Sequence, residues 1–245
     1  MTDRRQILGL ALALGALPPG HAEAARKLRI VTSHLPPLVY EKGQRQGALV
    51  EIVRELCRIA EVEPDIGFFP WPRALFMASK LPATAIFPLT RNVEREGRFR
   101  WLAPLYDEHY VFLAPRGGSF DTGQPSRMRG RKISLLRGAV QAAILRELGY
   151  ENLVEASTID EVHRFLVSGI ADAAFGERNI IGASLKQRGA AGDFAVSAPI
   201  RSLTAWLAGS PDMPESEAER FSHALSMLKS QGRLQKIYRR YDLEN

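Results

Sequence analysis

A single cysteine, Cys57, stands in 245 residues, so no intrachain disulfide can form. It also lies too far into the chain to serve as a lipoprotein anchor. After residue 24 no apolar run is long enough to cross a bilayer, so the processed chain is expected to be soluble. Enzyme signatures are missing as well. There is no G-x-S-x-G elbow, no Walker loop, no H-E-x-x-H and no G-x-G-x-x-G. His34, His109, His163 and His223 are isolated, and none has a second metal ligand at helical spacing. His163 and His223 fall on expected helices and read as surface or core residues. His34 follows the first strand, where a pocket can form. No internal repeat, low-complexity tract or long linker appears. These absences lead us to expect no catalytic residue, no metal and no cofactor. The chain carries 33 Lys+Arg against 27 Asp+Glu, a net charge of +6. The basic residues are scattered, which excludes a nucleic-acid groove and leaves a mild preference for anionic or zwitterionic partners.

What is present begins at the N-terminus. Arg4 and Arg5 precede an apolar run from Ile7 to Leu17, which Pro18, Pro19 and Gly20 terminate. Ala22-Glu23-Ala24 places small residues where a signal peptidase reads. That order predicts a secretory signal over 1–24 and release into the periplasm. Arg4-Arg5-Gln6-Ile7-Leu8 is also similar to a twin-arginine export signal.

Strands and helices alternate over the remainder. Strands are expected over Leu28–Thr32, Ile66–Phe69, Ala83–Phe87, His109–Ala114, Lys132–Leu136, Leu153–Glu155, Ala171–Phe175, Phe194–Ala198 and Leu203–Leu207. Leu49, Val53, Leu56, Cys57 and Ala60 share one helical face, which makes Cys57 a core residue. Further helices are expected over Arg73–Lys80, from Gly138 to about Leu148, over Ser216–Ser230 and over Leu234–Tyr241. Thr158-Ile159-Asp160-Glu161 is a capping-box pattern opening another. The class is α/β with mostly parallel sheets. The length suits two lobes, one from 25–114 with 200–245 and one from 115–199. Two crossings, near Ala114–Gly118 and Ser197–Leu203, would let the lobes hinge.

The loop from Pro88 to Arg95 follows a buried strand, and ligands of open α/β sheets gather at the carboxyl ends of strands. It offers Leu89, the Thr90 hydroxyl, Arg91 and Arg95. A guanidinium can grip a carboxylate through two parallel hydrogen bonds. The alternative is a solvated basic turn, with Arg91 or Arg95 paired to Glu94 or Glu96.

Thr90, Arg95, Trp101, Pro104 and Tyr106 follow one another at the spacing found in bacterial extracellular solute-binding proteins of family 3, the polar amino-acid-binding type. Leu28–Thr32, Pro36-Pro37-Leu38, Gly130–Ile133, Leu136–Val140, Ala171–Phe175 and Gly232–Tyr238 resemble further segments of that family in the same order. The resemblance implies a type II periplasmic-binding fold and, residue by residue, a ligand clamp. In it Arg95 and Thr90 would hold an α-carboxylate. The amides of Ala139 and Val140, at a helix N-terminus, would meet it from the second lobe. Glu177 would accept the α-ammonium; it also suits a helix N-terminus. The chain departs from the pattern at Gly47–Glu51, where the first acid is lacking. Leu35 stands where an aromatic wall is usual, Thr84 replaces an acid, and Ala139-Val140 replaces a hydroxylated pair. Pro70–Leu75 looks like a divergent branch, with Trp71 a candidate aromatic wall and Arg73 a candidate for an acidic ligand group.

The leading expectation is therefore a monomeric binding component that delivers an amino acid or related carboxylate to an ABC permease. A second is a cyclohexadienyl-type dehydratase on this fold, with Glu177 as general acid. A third is a soluble ligand presenter for a membrane sensor.

Overall fold

The structure, a computed structural model, describes residues 26–43 and 46–243. The expected export signal lies outside the described residues. Among the described residues no helix is long and apolar enough to cross a membrane.

β1 (Arg26–Thr32) pairs in parallel with β2 (Val62–Phe68), Ile30 opposite Ile66. Between them α1 (Ala48–Ile59) turns Leu49, Val53, Leu56 and Cys57 into the core, as their spacing predicts. Cys57 is fully buried, and burial pushes its thiol up to about 12. Gly47 opens this helix at φ 92, and a Cβ there would collide with the Leu38 carbonyl. α2 (Trp71–Lys80) starts within the Pro-Trp-Pro segment, where the missing amide of Pro72 breaks no helical bond. β3 (Thr84–Thr90) is buried along its length, lies parallel to β1 and runs into a 3-10 turn at Val93–Arg98.

β4 (Arg100–Pro115) is a single strand of 16 residues. The sequence reading captured only its second half. Pro104, Asp107 and Glu108 interrupt the apolar pattern of the first. Pro104 is tolerated because β4 pairs there on one side only, with β9 (Arg201–Gly209), and the register shifts between Pro104 and Tyr106. At roughly 3.3 Å per residue β4 reaches about 50 Å, enough to run through both halves of the molecule.

The second half repeats the βα logic. β5 (Ile133–Leu136), α3 (Gln141–Glu147), β6 (Leu153–Ala156), α4 (Ile159–Val167) and β7 (Ala173–Glu177) follow in order. β5 pairs in parallel with β6 and β7. The capping box forms: Thr158 accepts from the Glu161 amide at 3.1 Å, and Glu161 accepts from the Ser157 amide at 2.7 Å. α5 (Arg178–Gln187), which the sequence reading did not separate, follows β7 without a loop. β8 (Phe194–Val196) then leads into β9, and α6 (Glu215–Ser230) and α7 (Arg233–Arg240) close the chain.

Among the described residues nine strands make one sheet, ordered β2-β1-β3-β9-β4-β7-β5-β6, with β8 on β4. Its flanks are parallel. Its centre is antiparallel, because β4 and β9 run between the halves in opposite directions. The sheet passes from one half to the other at Tyr110, which pairs with Arg201 on one edge and Glu177 on the other. The crossing therefore lies earlier on β4 than the 114–118 exit expected from the sequence. The cores divide at the same place. One large cluster packs Leu28 to Tyr106 with Ala205 to Leu243 and takes in Leu136 and Ile180 from the other half, and two smaller ones pack side chains between Tyr110 and Phe194.

Candidate functional site

The residues around Tyr110 form a buried polar layer between the two halves. Thr90, at the end of β3, meets the Tyr110 hydroxyl at 3.0 Å, and that hydroxyl donates to Glu108 Oε2 at 3.1 Å. Tyr106, Glu108 and Tyr110 alternate along β4 and so face the same side of the sheet. Glu177 faces them from the end of β7, beside the Tyr106 hydroxyl, which makes no hydrogen bond of normal geometry.

Glu177 is both the last residue of β7 and the cap of α5. Its Oε2 accepts from the Ile180 amide at 3.0 Å and its Oε1 from Asn179 Nδ2 at 3.2 Å. Burial nevertheless raises its pKa above the ordinary value, against those bonds. Glu108 is perturbed further: burial first, and then the neighbouring Glu177, push it up to about 8, while hydrogen bonds from Thr90 and Tyr110 pull the other way.

Arg95 comes from the 3-10 turn. Its Nη1 donates to the Thr90 carbonyl at 2.9 Å and its Nη2 to the Gly138 carbonyl at 3.0 Å. The first partner belongs to one half and the second to the other. Gly138 has φ 74, a turn that suits glycine, and that turn presents its carbonyl to Arg95. Burial lowers the Arg95 pKa, offset by Tyr110, Glu108 and Glu94. Arg95, Glu108 and Glu177 are each less than one tenth exposed. None of the three has an opposite charge within ion-pair distance among the described residues.

Two connected spaces open on this layer. The outer one is a cleft of about 630 Å³ between the halves, with Phe68, Phe69 and Pro36 on one wall and Ser157, Asp160 and Arg188 on the other. The inner one is a chamber of about 50 Å³, bounded by Trp71, Glu108, Gln141, His163, Ile180 and Glu177. Leu35, Leu136 and Ile159 line both. Three buried side-chain atoms on the chamber wall have no hydrogen-bond partner: Trp71 Nε1, Gln141 Oε1 and His163 Nε2. Native interiors leave few such atoms without a protein, water or ligand partner. The other ring nitrogen of His163 is bonded to Ser184, and burial lowers the imidazole to about 4, so the ring is neutral at ordinary pH.

Thr90, Glu177, Trp71, Leu35 and Ala139, all expected at the site from the sequence, line the chamber, and Arg95 stands beside it. The Ala139 amide is turned back to the Leu136 carbonyl at 3.3 Å, and Val140 is a core side chain that caps α3. Leu89 is fully buried in the large core, opposite Trp206 on β9. Arg73 is exposed and lies over the Phe69 ring at 5.2 Å, outside the chamber. Arg91 takes the surface role: it grips Glu96 through two bonds of 2.7 and 2.9 Å and stacks over Trp101 and Trp206. His34 is exposed at the rim of the outer cleft, where its Nδ1 accepts from the Glu41 amide at 3.1 Å. Sequence reasoning missed Glu108, Tyr110, Gln141 and His163. The signal for the first two was present, because Tyr106, Glu108 and Tyr110 form a period-two polar stripe. No local signal marks Gln141 or His163, whose burial is set by other elements. No group of three His, Cys, Asp or Glu side chains suited to a metal ion occurs among the described residues.

No protein-family model matches the chain, and no curated protein matches it. Solved structures do. A histidine kinase sensor domain with similarity to periplasmic binding proteins superposes with a TM-score of 0.80 at 19% identity, covering 90% of this chain and 99% of that one. An ancestral arginine-binding protein bound to arginine gives 0.77 at 16%, covering 88% and 97%. The GluR0 ligand-binding core from Nostoc punctiforme, in complex with (L)-glutamate, gives 0.75 at 18%, covering 87% and 98%. With the order of its sheet and the two strands that join its halves, the chain has the two-lobed type II periplasmic-binding fold.

Proposed function

We propose that the protein captures a small amino-acid-like or carboxylate solute in the cleft between its lobes and passes it to an ABC permease in the membrane. One observation carries this reading. Buried polar groups from both lobes converge on a single chamber, and three of their atoms lack a protein partner. The lobes would close about β4 and β9 near Tyr110 and Arg201. Arg95 would then exchange its backbone carbonyl partners for the solute carboxylate, helped by Thr90, while Glu177 accepts the ammonium. Closure removes water, which strengthens both contacts. The neighbours' bound arginine and glutamate fit such a solute. Export through the N-terminal signal, a periplasmic location and a monomeric state belong to the same reading.

A calorimetric screen of amino acids and related carboxylates against the purified protein tests it. Arg95→Ala should weaken whatever binds by roughly ten- to a hundred-fold, the range for losing hydrogen bonds to a charged group. An unchanged affinity in that variant, or no binding by any probe, sinks the reading.

One observation favours dehydration of a cyclohexadienyl amino acid as a second reading: burial biases Glu177 and Glu108 toward their protonated forms, as a general acid requires. Conversion of prephenate or arogenate by the purified protein would support it, and unaltered substrate would dispose of it.

A further inference from the structure

The inner chamber contains more acid than the clamp needs. The family resemblance assigns Glu177 to a ligand ammonium and gives Glu108 no role. Yet Glu108 is buried on the same wall, held by the Tyr110 hydroxyl and by Thr90. The strand register brings the two acids together. Tyr110 pairs with Glu177, and Glu108 lies two residues from Tyr110 on the same face, so the carboxyls are diagonal neighbours. Such neighbours stand about 7–8 Å apart at the backbone, within reach of long side chains. A single nitrogen can therefore touch both.

The rest of the chamber has the matching polarity. Gln141 Oε1 is an unpartnered acceptor, and the cation nearby, Arg95, directs two of its N–H groups to backbone carbonyls. Among the described residues, the ionisable groups facing Glu108 come from several elements. They are Arg95 from the 3-10 turn, Glu177 from β7, Tyr106 and Tyr110 from β4, and His163 across the chamber on α4. The histidine is neutral and both phenols are held protonated by burial. With both carboxyls ionised the site would hold two negative charges against one cation; in the empty protein Glu108 keeps its proton, and an incoming ammonium would supply the missing positive charge.

We propose that Glu108 is a second acid of the ammonium site, so that the solute's primary amine sits between Glu108 and Glu177 and donates its third hydrogen to the Gln141 side-chain carbonyl. This rests on the solute-binding reading and extends it to a ligand class: a primary amine is obligatory, and solutes bearing only carboxylates or hydroxyls are excluded. A consequence is proton release. Glu108 is protonated at neutral pH in the empty protein, and the arriving ammonium displaces that proton to solvent. Capture should therefore weaken as the pH falls below about 8, approaching about ten-fold per pH unit at lower pH.

The test is titration calorimetry on the purified protein with L-arginine, L-glutamate, L-glutamine and L-histidine, each beside its des-amino analogue, at pH 6, 7 and 8. Two buffers of different ionisation enthalpy count the protons released. The expected result is binding of at least one amino probe, loss of its des-amino analogue, release of close to one proton at pH 7, and a fall in affinity of about fifty-fold from pH 8 to 6. Glu108→Gln, which keeps the side-chain shape, should abolish proton release and flatten the pH profile. Circular dichroism and a melting curve confirm that the variant is folded. Should it unfold, the wild-type proton count and the des-amino probes still decide. Amine binding with a flat pH profile and no proton release, or des-amino analogues that bind as tightly as their parents, overturns the assignment of Glu108 and leaves the solute-binding reading standing. A protein that binds none of the probes overturns both.

Discussion

Replacing Glu108 by glutamine should stabilise the empty protein, and by more as the pH rises. Its carboxyl is sealed beside Tyr110, Thr90 and Glu177, and burial lifts its pKa from 4.5 to about 8. An unfolded chain releases that proton near the ordinary value; the folded chain releases it only near 8. Between those limits the folded state binds more protons than the unfolded state, so stability declines as the pH rises. Below about 4.5 the group contributes nothing, and above about 8 its full cost is present. At about 1.4 kcal/mol per pH unit, the interval amounts to about 5 kcal/mol. Glutamine still accepts from the Tyr110 hydroxyl and has no proton to lose. Glu108→Gln should therefore gain steadily on the wild type between pH 5 and 8. At roughly 2–4 °C per kcal/mol for a chain of this size, the lead at pH 8 is on the order of 10–20 °C. His163 acts in the opposite sense. Burial lowers it to about 4, so its neutral form stabilises the fold above the unfolded value of 6.5, and that contribution is lost as the pH falls toward 4. It is common to both proteins and cancels in their difference. Urea and thermal melts at pH 4.5, 6 and 8 measure the gap. Parallel curves for the two proteins would refute the claim that the fold holds Glu108 protonated.

Three further outcomes follow from the packing. Thr158→Ala removes the oxygen that caps α4 and should cost about 1 kcal/mol, read as a lower urea midpoint with an unchanged slope. Gly47→Ala places a Cβ against the Leu38 carbonyl at a left-handed φ, so it should destabilise by more than about 1 kcal/mol, whereas an alanine at the open Gly97 position should not. Cys57 should resist a thiol reagent at pH 8 until the protein unfolds, because the thiol is inaccessible and its pKa is near 12; prompt labelling of the folded chain would contradict its place under α1.

Local pattern alone makes much of this molecule legible in the sequence. The apolar face of α1, the capping box of α4 and the alternation of strands with helices are short-range signals, and the structure contains each of them. Thr90, Arg95 and Glu177 were singled out because their segments resemble a known order, and the fold brings them into one layer. Other parts needed the tertiary structure. The first half of β4 carries a proline and two acids, and it is a strand only because β9 pairs with it over that length. Leu89 and Arg73 lie in the right segments, but strand pairing turns the first into the core and the helix surface turns the second to solvent. Glu108, Gln141 and His163 come from β4, α3 and α4, and nothing within a turn of each reveals that they face one space. Periodicity tells a residue which side of its own element it occupies. Whether that side meets water, a core or a chamber short of hydrogen-bond partners depends on elements far away in the chain, and here that decided which buried polar groups stand at the site.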